Sequence, residues 1–298
     1  MKLKKCFSKP VAIAATTLSL TFAPVTLEKP MGLRAAYAQA SAKYNPSTNP
    51  FVAGSIIKAM AKNAASAKEL HEALRKKLKT SSSGATLRDD RAPRTAQQTM
   101  QKGGDCTEFT YAGIALFKSK GIETGALIIK VGRSLHHVLQ FAVVDGKRTI
   151  IDPQTKEFGK GRIKLKSGKT IIFDYDQAVK KLKAAVLTSN QAAGLYHMEW
   201  GNFLKNKASL LNSAIKAFKR ALEINPNDNY SKKQLNALQG RFVNKQMDLG
   251  VKAYNNKDFA KALTHFKAAM DNFPANASKK HKAQLQGLIK QCEGQINN

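Results

Sequence analysis

Hydrophobic positions along the chain change period twice, and the changes mark out its elements. From Phe51 to about Lys79 the apolar residues Ile56, Ile57, Met60, Leu70, Leu74 and Leu78 recur at helical spacing, which predicts one or two amphipathic helices. A polar stretch, SSSGATLRDDRAPRT (81–95), with Gly84 and Pro93 then reads as a loop; Asp89 and Asp90 within it read as solvated charges. A helix is predicted from about Cys106 to Lys118, with Asp105 or Thr107 as its cap and Gly121 as its stop. The period then falls to two. GALIIKV, HHVLQFAVV and RTIIDP read as three strands, the last two joined by a tight Asp145-Gly146 hairpin turn. GRIKL and KTIIF predict a further pair joined around Ser167-Gly168, and Asp174 to about Leu187 reads as a return to helix.

From about Gln191 the pattern is entirely helical and repeats itself. NSAIKAFKRALEINPND (212–228) overlays DFAKALTHFKAAMDNFPAN (258–276) at a fixed offset of 48, matching Ala214 with Ala262, Phe218 with Phe266, Ala221 with Ala269 and Pro226 with Pro274. Gly250 and Tyr254 lie on the helix preceding the second copy, and Gly201 and Phe203 do so roughly for the first. These small–small–aromatic contacts ending at proline resemble the tetratricopeptide pattern of paired helices. Ser231 to Met247 is expected to be an intervening helix or a degenerate third unit, with Lys279 to Cys292 as the cap.

The start of the chain is read separately. Lys2, Lys4, Lys5 and Lys9 precede an apolar run from Val11 that ends at Pro24, and AYA (36–38) and AQA (38–40) are small-residue cleavage candidates. Residues 1–38 are therefore expected to be a secretory signal, and the product a soluble periplasmic or secreted bacterial protein. The formal charge of the 298-residue chain is +30, and removal of 1–38 would leave +25, so the basic character belongs to the mature protein. That excess is spread over 39–187 (+15) and 188–298 (+10) without a basic–aromatic recognition motif. Specific nucleic-acid binding is not expected, whereas contact with an anionic envelope surface or an acidic partner is. The three cysteines, Cys6, Cys106 and Cys292, form neither a disulfide framework nor a zinc site of neighbouring pairs. No cofactor and no metal is expected.

The chemistry concentrates between 104 and 154. A cysteine at a helix start sits beside exposed N–H groups and the positive end of the helix dipole, both of which favour thiolate. Two histidines compete as its base. On a strand His136 and His137 face opposite ways, and His137 shares the more apolar face with Leu139, Phe141 and Val143, the face expected to meet the Cys106 helix. The Asp145-Gly146 hairpin would bring Asp152 onto the neighbouring antiparallel strand, where a carboxylate can accept the second imidazole hydrogen.

GDCTEFTYAGIALFKSKGIETG and HVLQFAVVDGKRTIIDP resemble the cysteine motif and the histidine strand, hairpin and Asp-Pro ending of the transglutaminase-like superfamily. The resemblance covers about 100–185. It departs from the family at Leu139, where an aromatic residue is frequent. It implies a papain-like α+β domain, a helix packed on an antiparallel sheet, with Cys106 as nucleophile, His137 as base and Asp152 as orienting group. The expected organisation is a signal at 1–38, the thiol domain with its N-terminal helices at 50–187, and an all-α, tetratricopeptide-like domain at 191–298. The expected activity is a cysteine peptidase or amidase that forms a thioester with protein or peptide substrates. Protein crosslinking or amine transfer is the same chemistry with another acceptor, and a non-catalytic interaction protein that binds a partner on its helical repeats is a third reading. Cys106 N–H, Gln97, Gln98 and Gln101 are the candidate oxyanion donors.

Overall fold

A computed structural model describes residues 44–79, 92–131, 136–165, 168–274 and 277–297. The signal segment, most of the 81–95 loop and Ser167 lie outside the described residues. The chain is a mixed α+β region with two small antiparallel sheets, followed by a continuous all-α stretch. It divides into one unit of 45–203 with 220–226 and another built from 204–219 and 227–298.

In the α+β unit, α1 (Ser55–Asn63), α2 (Ala67–Lys79) and α3 (Ala96–Lys102) precede α4 (Cys106–Lys118). Ile57 of α1 and Leu70, Leu74 and Leu78 of α2 are buried, as their spacing requires. Helix α4 is buried from Thr107 to Phe117, so it is the central element of the unit and not a surface helix. Asp105 caps it, accepting the N–H groups of Thr107 and Glu108, while the Glu108 side chain reaches back to the Asp105 N–H.

The main sheet has the order β3-β2-β1-β6, all antiparallel, from β1 (Thr124–Lys130), β2 (His136–Val144), β3 (Lys147–Ile151) and β6 (Ala185–Thr188). Asp145 and Gly146 both have positive φ (50° and 73°), the geometry of a two-residue hairpin turn that follows the twist of its strands. A second hairpin pairs β4 (Gly161–Lys164) with β5 (Thr170–Phe173).

The two faces of the main sheet are covered differently. On one, Leu127, Ile129, Leu139, Phe141 and Ile150 pack with Ile163 and Phe173 of the second hairpin and Ala178 of α5 (Tyr175–Lys180). On the other, Gln140 presses against Gly113 of α4, leaving no room for a side chain at 113. The helix expected over 174–187 is only α5. Lys183 turns the chain at φ 53°, and 185–188 form the edge strand β6 beside β1. The run KKLKAAV reads as helix because lysine, leucine and alanine favour helices, and four-residue strands carry too few positions to show a period.

Helix α6 (Ser189–Leu204) follows β6, and Tyr196 on it meets Tyr111 of α4 edge to face at 6.0 Å between ring centroids. The Tyr111 hydroxyl donates to Glu199 at 3.1 Å. Helix α7 (Leu211–Ile224) passes from one unit into the other at 219/220.

In the helical unit, α8 (Asn229–Asn255), α9 (Phe259–Asp271) and α10 (Lys279–Ile296) share a core of Val243, Ala253, Ala262, Phe266, Ala269, Leu285 and Cys292. The matched positions Ala214, Phe218 and Ala221 and Ala262, Phe266 and Ala269 are all fully buried. Gly250 exists for Phe266: a Cβ there would stand 2.5 Å from the ring. The segment expected as an intervening helix or degenerate unit is part of one unbroken helix of 27 residues, α8. No helix among the described residues is long and apolar enough to cross a membrane.

Candidate functional site

The site begins with how α4 and β2 are laid together. The chain turns between Lys118 and Thr124 and sends β1 back along α4, and β2 reverses again, so β2 runs in the same sense as α4. Gly113 sits against Gln140. Cys106 precedes Gly113 by about 10 Å of helix, and His137 precedes Gln140 by about 10 Å of strand. Cys106 and the histidine pair thus begin neighbouring elements at the same end of the unit. Cys106 is the first residue of α4 and half-buried, and both it and Cys292 are thiols outside any disulfide.

The facing of β2 departs from expectation. Contact of Gln140 with Gly113 puts His136, Val138, Gln140 and Ala142 on the α4 side by strand alternation. His137 lies on the opposite face with Leu139 and Phe141. The apolar character of that face, which suggested contact with α4, belongs to a second layer, the β4–β5 hairpin and α5. His136, on the α4 side, is exposed at the strand end.

His137 and Asp152 meet on a third residue. Asp152 follows β3 and is 1% exposed, which decides that every charge on it must be answered by protein groups. Its Oδ1 accepts the Gln154 N–H at 2.8 Å and its Oδ2 the Arg162 N–H at 3.0 Å. The Arg162 backbone also lies beside the His137 imidazole and favours its charged form. No direct bond joins the Asp152 carboxylate to the imidazole. Where that bond was expected, the Arg162 backbone stands beside the imidazole and donates its N–H to the carboxylate. His137 Nε2 is buried and without a hydrogen-bond partner, and His137 makes no hydrogen bond to Cys106.

Burial sets the protonation of both groups. It pulls the His137 imidazole down to about 4, against the Arg162 backbone and assisted by the Arg162 charge. It pushes the Asp152 carboxyl up to about 6, although the Gln154 and Arg162 N–H groups and the Arg162 guanidinium all work the other way. At neutral pH the site therefore holds a neutral imidazole beside an ionised carboxylate.

A second histidine, which sequence reasoning missed, belongs to the same neighbourhood. His71 of α2 is fully buried, and its Nε2 lies 3.0 Å from the Asp152 carbonyl oxygen. Its only signal in the sequence is a polar residue between Leu70 and Leu74 on an apolar helix face. The oxyanion candidates also separate. Asp105 occupies the Thr107 and Glu108 N–H groups. Gln98 is tied to Thr95 in the cap of α3, and Gln101 is exposed. Gln97, which lies over Gly54 with Oε1 buried and unpartnered, is the least committed of the three glutamines.

No protein-family profile, no curated protein and no solved structure matches the chain.

Proposed function

We propose that the chain is a thiol-dependent acyl-transfer enzyme of transglutaminase-like type that cleaves amide bonds in protein or peptide substrates. The observation that carries the reading is a half-buried cysteine thiol on the first residue of a capped, buried helix, beginning at the same end as the strand that bears His137. In this mechanism the Cys106 thiol gives its proton to the His137 imidazole as the sulfur attacks the carbonyl carbon, and the C–N bond breaks as the imidazolium passes that proton to the leaving amine. Water, giving a proton to the imidazole, then attacks the thioester carbonyl, and the C–S bond breaks as the imidazolium returns that proton to the sulfur, releasing a carboxylic acid and restoring the thiol. Asp152 keeps the Arg162 peptide in its place beside the imidazole. An amine replacing water would make the product a new amide, so transfer and hydrolysis differ only in the acceptor. We place this activity outside the cytoplasm, with the helical repeats offering a surface to a protein partner and the basic surface facing an anionic envelope.

The test is alkylation by iodoacetamide between pH 4 and 9, with modified residues mapped by mass, in the wild type, Cys106→Ala and His137→Ala. The proposal expects rapid labelling of Cys106 that slows and changes its pH profile in His137→Ala. An unchanged profile would argue against a working pair. Product masses with and without added primary amines then identify the acceptor.

One observation favours a second reading. His137 lies on the sheet face away from α4 with its Nε2 unpartnered, as in a thiol domain that does no chemistry while the helical repeats bind a partner. Active sites often tighten only when substrate is bound, so the same alkylation series separates the two.

A further inference from the structure

His71 holds a position where an apolar side chain would make fewer demands. It is fully buried, lies between Leu70 and Leu74 on α2, and its ring rests on Phe158 at 5.8 Å between centroids. Its one polar contact is to a residue 81 positions away, the Asp152 carbonyl at 3.0 Å. A carbonyl oxygen only accepts, so Nε2 carries the hydrogen and Nδ1 the lone pair. That Nδ1 is buried without a partner. An imidazole with one nitrogen unsatisfied is a poorer core residue than leucine unless its remaining bond is needed.

What the bond reaches explains the need. The Asp152 carbonyl also receives Thr155 N and Oγ1, at 3.1 and 3.2 Å. The carboxylate of the same residue receives Gln154 N and Arg162 N. Among the described residues only the contact from His71 reaches Asp152 from outside the segment 152–162, and it ties that segment to α2. We infer that His71 is a positioning residue: its Nε2–H tethers the end of β3, so that the Asp152 carboxylate keeps the Arg162 peptide in its place beside the His137 imidazole. This deepens the proposed acyl-transfer role of His137 and rests on it. His71 itself touches no reacting atom.

The experiment compares His71→Leu and His71→Met, which lack a donor, with His71→Gln, whose amide nitrogen can reach the position of Nε2. The readouts are the NMR titration of the His137 imidazole and the pH profile of Cys106 alkylation by iodoacetamide, in protein shown to be folded by its thermal transition. Loss of the tether should loosen the buried seat of His137 and raise its titration midpoint by about half a pH unit or more toward the ordinary value. It should also diminish the part of Cys106 reactivity that depends on His137. His71→Gln should restore both toward wild type. Two donorless variants guard against one failing to fold. A folded donorless variant with the wild-type His137 midpoint overturns the inference, as does a glutamine variant no closer to wild type than leucine or methionine. If His137→Ala leaves Cys106 alkylation unchanged, the enzymatic reading fails, while the His137 titration still decides the tether.

Discussion

Gly113 of α4 lies against Gln140 of β2 so closely that a Cβ at 113 would stand 1.9 Å from the Gln140 Oε1 and 3.3 Å from Leu74 Cδ2. The Gln140 amide cannot simply swing away, because its Nε2 donates to Thr124 Oγ1 at 2.9 Å. Gly113→Ala should therefore destabilise the α+β unit by about 1–3 kcal/mol, the usual range for overpacking. Shortening Gln140 to alanine in the same chain should recover part of that loss. Urea unfolding of the two single variants and the double variant measures the coupling directly.

The two titrating groups of the site act on stability in opposite senses. Asp152 loses its proton near 3.8 when unfolded and near 6 when folded, so stability from this group falls as pH rises through that window. His137 binds a proton near 6.5 when unfolded and near 4 when folded, so its contribution rises over nearly the same window. Asp152→Asn should make the rise in stability between pH 4 and 6.5 steeper than in the wild type, and His137→Gln should make it shallower. His197, also pulled down to about 4 by burial, contributes a rise common to all three proteins. Urea midpoints at pH 4.5 and 7 test the order of the slopes, with changes on the order of 2 kcal/mol.

Adjacent histidines on opposite faces allow a direct comparison. If His137 is the base, His137→Ala should reduce turnover of an amide substrate by about 10²- to 10⁴-fold, and His136→Ala should leave it little changed. Cys106→Ala should abolish turnover in either background. The reverse order between the histidines would assign the base to the residue on the α4 side.

Removing the cap of α4 should be felt apart from any chemistry. Asp105→Ala leaves the Thr107 and Glu108 N–H groups without their acceptor and should cost about 1 kcal/mol. Asp105→Asn, which keeps an acceptor oxygen, should lose less. Thermal unfolding of both variants checks the ranking.

Much of this architecture was legible because local rules and tertiary packing agree. The Asp105 cap, the bounds of α4, the Asp145-Gly146 turn and the pairing of β4 with β5 all follow from short-range residue preferences. The facing of β2 did not follow. An apolar strand face announces burial without naming what buries it, and the hairpin that covers Leu139 and Phe141 comes later in the chain. The Arg162 backbone was invisible for a different reason, since any residue there would offer the same N–H and carbonyl. His71 was hidden by distance, its partner being a backbone atom 81 residues away. Edge strand β6 was masked by residues that prefer helix.

Helix α8 has a mechanical consequence for the repeats it joins. Its 27 residues form an unbroken rod of about 40 Å. Adding one residue in its middle would rotate everything beyond by about 100° and advance it by about 1.5 Å. Gly250 and the Phe266 ring both lie beyond that point and would turn together, while the side chains before it would lose their register with those after it. Evolution can exchange the exposed side chains along this rod, but it can lengthen or shorten it only in steps near whole turns.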